Sequence, residues 1–245
     1  MKKYTVFISD THLNEHEPAM TQRFLDFLKL NKGSIEKLYL LGDIFDTWIG
    51  DDDVSPLSLQ VSQVLKNCAQ NGVSIYFIHG NRDYLIGPKF AKSCGMKLLG
   101  EKTLLSLYGK QTLIMHGDLL CTDDLAYQRY RKIMFSSLMK KICLTLPLWL
   151  RKKIAKKLRK ISQYSNSEKQ MNIMDVSENS VTQAFAESNA ELLIHGHTHR
   201  LACHSAAAGK TRMVLGAWEK MQGNAIIVNE KEAPRFIKFS QATTL

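Results

Sequence analysis

The pentad His195-Gly196-His197-Thr198-His199 decides how this chain is read. The apolar run from Ala190 to Ile194 precedes it and predicts a buried strand ending at the pentad. Gly196 lets the backbone turn tightly without a Cβ clash. His197 and His199 are two apart, so in extended backbone their side chains leave the same side. Two imidazoles converging just beyond a strand end point to a metal site. A surface turn that is merely His-rich is the alternative, and the rest of the chain decides between them.

Working outward, other apolar runs end in the same kind of chemistry. Tyr4 to Ser9 is β-branched and aromatic and predicts a strand delivering Asp10-Thr11-His12. Leu38 to Leu41 delivers Gly42-Asp43-Ile44-Phe45-Asp46, and Val73 to Ile78 delivers His79-Gly80-Asn81-Arg82-Asp83. Thr103 to Tyr108 and Gln111 to Met115 flank Gly109-Lys110 as a hairpin whose second strand ends in His116-Gly117-Asp118. Between these lie helices. Residues 18 to 31 carry Phe24, Leu25 and Leu28 at helical spacing. Ser55 reads as an N-cap before Pro56, Gly72 closes that helix, and Leu57, Val61, Leu65 and Cys68 form its inward stripe. Residues 123 to 188 read as helices, and Arg212 to Leu215, Asn224 to Val228 and Phe236 to Phe239 as closing strands. Strands alternate with helices early and hairpin-like strands dominate late. The expectation is an α/β fold in one domain over 1–245, with two stacked sheets, helices outside and a helical insertion at about 123–188.

Composition narrows the function. With 44% apolar and 23% charged residues in 245, the chain can bury a large core. No apolar stretch reaches the roughly 18 to 20 residues that span a bilayer. The start, Met1-Lys2-Lys3-Tyr4, leads into a strand and makes a poor signal peptide. Five scattered cysteines, none in a CxxC, suit a reducing compartment, and a cytoplasmic chain is expected. The net charge of +10 is concentrated: residues 129–169 hold 13 Lys and Arg against one acid. An anionic partner is therefore expected at that segment.

Five strand ends carrying D-x-H, G-D-x-x-D, G-N-R-D, H-G-D and H-G-H-x-H in this order resemble the calcineurin-like metallophosphoesterase superfamily. That resemblance spans most of the chain outside the insertion, and implies an α/β/β/α sandwich around a dinuclear metal centre. Matched by motif, one ion would take Asp10, His12, Asp43 and His199, and the other Asp43, Asn81, His116 and His197, with Asp43 bridging. The mixture of carboxylate, amide oxygen and imidazole suits Mn²⁺, Fe²⁺ or Zn²⁺ better than Ca²⁺. Two such ions ~3.5–4 Å apart activate water and clamp a phosphoryl group for in-line attack. Asp43, Asn81, Arg82 and His116 are the expected catalytic set. Asp46 is expected to orient a ligand, Asp83 and Asp118 to fix loop amides, and His79 and His195 to be structural. His16, His204 and the Asp51-Asp52-Asp53 loop are expected to be solvated.

Arg82 stands where many family members carry a His that protonates an alkoxide leaving group. An Arg cannot deliver that proton but can neutralise phosphate oxygens. A phosphate leaving group needs no general acid, so Arg82 suggests cleavage of a pyrophosphate.

Within residues 137–161, Pro147 predicts a break between two helices, and Leu150, Ile154, Leu158 and Ile161 form one apolar stripe. Arg151, Lys152, Lys153, Lys156, Lys157, Arg159 and Lys160 cover its other faces. A basic amphipathic helix reads as a membrane-surface element, while packing on the catalytic core is the plainer alternative. Few aromatics interleave the charges, which disfavours nucleic acid.

Further pieces resemble the UDP-2,3-diacylglucosamine hydrolase (pyrophosphatase) family of lipid A biosynthesis. They are Gly42 to Asp52, His79 to Asp83, Asp123-Asp124-Leu-Ala-Tyr127-Gln128, and Ser162, Asn166 and Lys169 followed by Ile173 to Val176. The resemblance implies water attack on the α-phosphorus of UDP-2,3-diacylglucosamine, giving UMP and 2,3-diacylglucosamine 1-phosphate (lipid X). It also implies two Mn²⁺ and a peripheral place on the cytoplasmic face of the inner membrane; a monomer is expected. Asn81, Arg82, Asp124, Ser162, Asn166, Lys169 and His197 would contact substrate. The chain departs from that pattern at Gly216-Ala217-Trp218, where Gly-Asp-Trp is usual, and at Thr11, where Leu is usual. Two other readings stay open: a metallophosphoesterase for nucleotides or nucleic acid, and a non-enzymatic membrane-binding module.

Overall fold

Each central strand feeds two different cores, and this builds the layers. In the computed structural model, which describes residues 3–168, 175–206, 209–219, 222–240 and 243–245 and the side chains of these outside 160–168, β1 (Tyr4–Ile8) is buried along its whole length. Its Tyr4, Val6 and Ile8 join one apolar cluster and Phe7 another, because successive side chains leave opposite faces. The same alternation divides β2 (Ile35–Leu40), where Leu38 and Leu40 face the helices and Tyr39 faces the other way. Phe7, Tyr39 and the Tyr76 of β3 (Ser74–Phe77) stack across neighbouring strands, with ring centroids 5.0 and 4.8 Å apart.

Three helices link the parallel strands: α1 (Pro18–Asn31), α2 (Pro56–Gln70) and α3 (Pro88–Cys94), the last running into β4 (Met96–Leu98). Helix α2 starts as expected, with Ser55 and Ser58 forming a reciprocal cap and Pro56 in the first turn. The hairpin of β5 (Lys102–Leu107) and β6 (Lys110–Met115) turns on Tyr108 and Gly109, one residue earlier than expected. Both have positive φ (50° and 88°), the geometry of a two-residue turn that matches strand twist.

The remaining strands are β7 (Leu192–His195), β8 (Ala202–Ser205), β9 (Thr211–Val214), β10 (Gly223–Asn229) and β11 (Glu232–Phe239). One sheet runs β11-β10-β1-β2-β3-β4 and the other β5-β6-β7-β9-β8. Pro234 sits in β11, an edge strand, where a missing N–H costs no ladder bond. Between the sheets lie Phe7, Ile114, Leu192, Ile194, Met213 and Ile226, among others.

Helices α4 (Leu125–Met134), α5 (Ser137–Thr145) and α6 (Leu148–Glu168) follow β6, with Pro147 separating the last two as expected. Helix α7 (Glu178–Ser188) lies at the end of the segment read as insertion, yet its Val181, Ala184 and Phe185 cover Leu113, Met115 and Leu193 on the outer face of the second sheet. It therefore supplies the fourth layer of an α/β/β/α sandwich.

The acidic loop before α2 is not the solvated turn expected. The Asp51 carboxylate caps α3, accepting from Gly87 and Phe90 N–H at 2.9 Å each. Asp52 pairs with Arg151 and Asp53 with Lys152, so this loop clamps α6. Arg151 is thereby only 6% exposed, although it belongs to the basic face of the helix.

Candidate metal centre

The carboxyl ends of β1, β2, β3, β6 and β7 meet at one rim of the sandwich, the usual place for a site on parallel strands. Loops after paired strands are stitched together. His12 N–H donates to Asp43 O at 3.0 Å, Asp10 N–H to Gly42 O at 3.1 Å, and Gly196 N–H to His116 O at 2.7 Å. Backbone strain is concentrated here. Asp10, His12, Asp43, His197 and His199 all have φ between 45° and 70°, a region non-glycine residues occupy at a cost. The glycines between them allow close approach. A Cβ on Gly196 would strike the Asp10 carboxylate and Ser9, and one on Gly80 would strike Asp43.

Two clusters of potential donors result, Asp10 with His12 and His199, and Asp10 with Asp43 and His116; within each, one ligand atom per residue lies within 4.8 Å of the others. Asp10 is thus common to both, while Asp43, the expected bridge, lies in the second. Asp10 Oδ2 accepts from Ser9 Oγ at 2.5 Å and His197 N–H at 3.0 Å. Its Oδ1, fully buried, receives no hydrogen bond and lies 3.3 Å from His199 Nε2 and 4.0 Å from His12 Nε2. His116 Nδ1 lies 2.8 Å from the Leu41 carbonyl, which can only accept, so that nitrogen carries the proton. In the neutral ring, Nε2 then offers a lone pair toward Asn81 Oδ1 at 3.1 Å and His197 Nδ1 at 3.2 Å. With His116 neutral, Nε2, Asn81 Oδ1 and His197 Nδ1 crowd together beside an orphaned carboxylate oxygen, an arrangement that fits a divalent cation.

In the metal-free site the carboxylates favour a proton on His116, which a cation would have to displace. Burial opposes charge on His116, but the Asp43 and Asp10 carboxylates outweigh it and raise its pKa to about 9. Asp43 is itself pushed up to about 6 by burial and by Asp10 nearby, against the pull of His116. Burial also acts on Asp10, yet the surrounding imidazoles, His199 first, hold its carboxyl below the usual range. His12 and His197 are held neutral by burial, each near 3, the state in which imidazole binds metal.

Asn81 and Arg82 enter from the loop after β3, and the Arg82 N–H donates to Asp43 Oδ1 at 2.8 Å. Asp83 fixes loop amides as expected, accepting from Ile44 and Gly80 N–H at 2.8 and 2.9 Å. His79 bonds the Ile86 carbonyl and buried His195 the Gly196 carbonyl, both structural roles. His16 and His204 are exposed. Asp46 pairs with Arg159 of α6 rather than with a site histidine. Asp118 holds side chains, Tyr127 and Arg131, instead of loop amides. Asp124 caps α4, accepting from Tyr127 N–H at 3.0 Å. The side chains of Ser162 and Asn166, and Lys169 entirely, lie outside the described residues. Thr11 bonds the Ile44 carbonyl at 2.8 Å, and Asn224 anchors Gly216 and Ala217 through their backbones. Neither departure thus disturbs a proposed ligand.

A groove of about 390 Å³ opens from this rim. Its lining includes the polar Asn81, Arg82 and Asp46 and the apolar Trp48, Leu85, Met134, Ile154 and Leu158. Sequence reasoning missed the Asp118–Arg131 pair and the clamp at Asp52; in hindsight, Tyr127 and Arg131 four apart on α4 mark one shared face.

Residues 4–201 match the calcineurin-like phosphoesterase family model, and the chain belongs to that family. It is a metal-dependent hydrolase, and the family implies a dinuclear divalent centre. Within that class it is similar to the UDP-2,3-diacylglucosamine hydrolase of Photorhabdus laumondii, 50% identical over 93% of this chain and 95% of the relative. The enzyme of the same name from Serratia proteamaculans is 48% identical over 96% of this chain and 98% of its own. Among solved structures, an archaeal phosphodiesterase shares the fold at TM-score 0.50 and 14% identity, over 96% of this chain and 99% of its own. Among the described residues no helix is long and apolar enough to cross a membrane.

Proposed function

We propose that this chain hydrolyses the pyrophosphate bond of UDP-2,3-diacylglucosamine, releasing UMP and 2,3-diacylglucosamine 1-phosphate, a step of lipid A biosynthesis. The observation that carries the proposal is the groove. Its lining joins Asn81 and Arg82, which adjoin the candidate ligands through the Asp43 and His116 contacts, to apolar side chains such as Trp48, Leu85, Ile154 and Leu158, so it suits a molecule that carries both phosphate and aliphatic chains. Relatives at 48–50% identity bear the name of that activity.

Asp10, His12, Asp43 and His199 would hold one divalent ion, and Asp43, Asn81, His116 and His197 the other, with Mn²⁺ as the proposed metal. Bound there, the ions would supply Lewis-acid activation of water and charge neutralisation on the phosphoryl oxygens. The chain does the rest. Arg82, tethered by its own N–H to Asp43, sets a guanidinium beside the phosphoryl group. It keeps its proton, and none is needed, because attack on the α-phosphorus expels a sugar 1-phosphate that is stable as an anion. Ser162, Asn166 and Lys169 are proposed as contacts to the sugar and phosphates.

The insertion is also the proposed contact with the cytoplasmic face of the inner membrane. Leu138 of α5 and Trp149 of α6 are 69% and 67% exposed, and α6 also carries the exposed Lys153, Lys156 and Lys157. Each cation near anionic lipid contributes about 1 kcal/mol.

The test is UMP release from the lipid substrate in mixed micelles with Mn²⁺, for wild type and His116→Ala. Release by the wild type and its loss in the variant are expected. No release, alongside turnover of a generic phosphodiester, would overturn the substrate assignment and leave the family.

A further inference from the structure

Helix α4 works on two sides. One side lines the groove with Ala126, Tyr130 and Met134, and the Tyr127 that follows Ala126 lines it as well. The other grips the loop that follows His116. Gln128 Nε2 donates to the carbonyls of Asp118 at 2.8 Å and Cys121 at 2.9 Å. Tyr127 OH donates to Asp118 Oδ2 at 2.9 Å, and Arg131 Nε donates to the same oxygen at 2.6 Å. The Asp118 and Arg131 side chains are 2% and 7% exposed, so salt screens this pair little. The guanidinium is braced further by Glu101 at 3.0 Å and by the Phe135 ring, 4.2 Å from its centroid.

Tyr127 carries the arrangement to the rim. Its ring lies over His197, centroids 5.9 Å apart and planes 29° from parallel. The edge of the His197 ring meets His116, and its amide is held by Asp10. His197 sits on left-handed backbone (φ 70°), outside the regular strand that would otherwise orient its side chain. Its ring therefore takes its orientation from side-chain contacts, Tyr127 on its face and His116 at its edge.

We propose that Asp118 is a positioning residue for the metal centre: with Arg131 it holds the Tyr127 ring against His197 and so fixes the direction in which His197 offers its nitrogen. The proposal rests on the reading of His197 as a metal ligand. Outer partners of this kind alter metal affinity or activity by about 10–100-fold when removed.

The experiment titrates the metal-free chain with Mn²⁺ and reads free Mn²⁺ by electron paramagnetic resonance. It compares wild type, Asp118→Asn, Tyr127→Phe, the double variant and His197→Ala, each checked for folding by circular dichroism. Asp118→Asn is expected to weaken Mn²⁺ binding by about 10–100-fold, and Tyr127→Phe, which keeps the ring, by the lower end of that range. The double variant is expected to be no weaker than Asp118→Asn, because both substitutions act through one contact. Affinity within twofold of wild type in folded Asp118→Asn, or losses that multiply in the double variant, would overturn the proposal. Should Asp118→Asn not fold, Tyr127→Phe alone decides, since wild-type affinity there would show that the anchored ring is not needed. A His197→Ala chain that binds Mn²⁺ as the wild type does would instead remove the ligand reading beneath it.

Discussion

Replacing Arg151 with Met should loosen α6 from the catalytic core while leaving the sandwich folded. The guanidinium donates to the Leu146 carbonyl at 2.9 Å, the Ile49 carbonyl at 2.6 Å and the Asp52 carboxylate at 2.8 Å. Met keeps most of the stem's packing volume but donates nothing. Two carbonyls beside a nearly buried side chain lose their partner, at about 1–3 kcal/mol each. The Asp52 pair adds little, because its carboxylate is 54% exposed and water replaces the guanidinium. Relief from desolvating a charge offsets part of the loss. A net of about 2–3 kcal/mol remains, which raises the opening equilibrium of the clamp by about 30- to 150-fold at RT near 0.59 kcal/mol. Hydrogen–deuterium exchange of the amides of 148–159 reads this directly. Exchange should speed up by a factor of that order, with the strands of both sheets unchanged. Wild-type protection in a folded Arg151→Met chain would refute the idea that this residue docks α6. The pair also carries a pH signature. Hydrogen bonding to Arg151 lowers the Asp52 pKa, so its contribution is present above the ordinary carboxylate range and fades as pH falls through the folded value.

Two further outcomes are expected. Gly196→Ala should lose at least about tenfold in Mn²⁺ affinity by calorimetry, since its methyl would displace the Asp10 carboxylate; unchanged affinity would show that the pentad can shift aside. Burial lowers the His195 pKa from 6.5 to about 4, so the unfolded chain binds the extra proton and His195 adds to a rise in stability with pH across that window. The urea midpoint of the metal-free wild type, compared with that of His195→Gln between pH 4 and 6.5, should show a pH-dependent difference; a constant difference would contradict it.

The candidate ligands were legible because each follows an apolar strand within a few residues, so strand prediction and motif arrive together. The layers were legible for the same reason: β1 and the carboxyl-end halves of β2 and β3 read as apolar runs, which strand segments buried on both faces require. What was not legible depends on distance along the chain. β8 escaped notice because Ala202-Cys203-His204-Ser205 is mostly exposed at a sheet edge and carries no apolar pattern. Asp51-Asp52-Asp53 reads as a solvated loop until Arg151, 99 residues past Asp52, is folded against it.

The sequence by itself therefore determined the class of chemistry and the strands that deliver it, since both follow from local runs of residue types. Only the tertiary structure decided what Asp46, Asp118 and Arg151 do, and that α7 closes the sandwich. An Asp offers the same carboxylate to a metal, an amide, a guanidinium or water. Which of these it meets is set by packing between segments remote in sequence, and no local pattern records that.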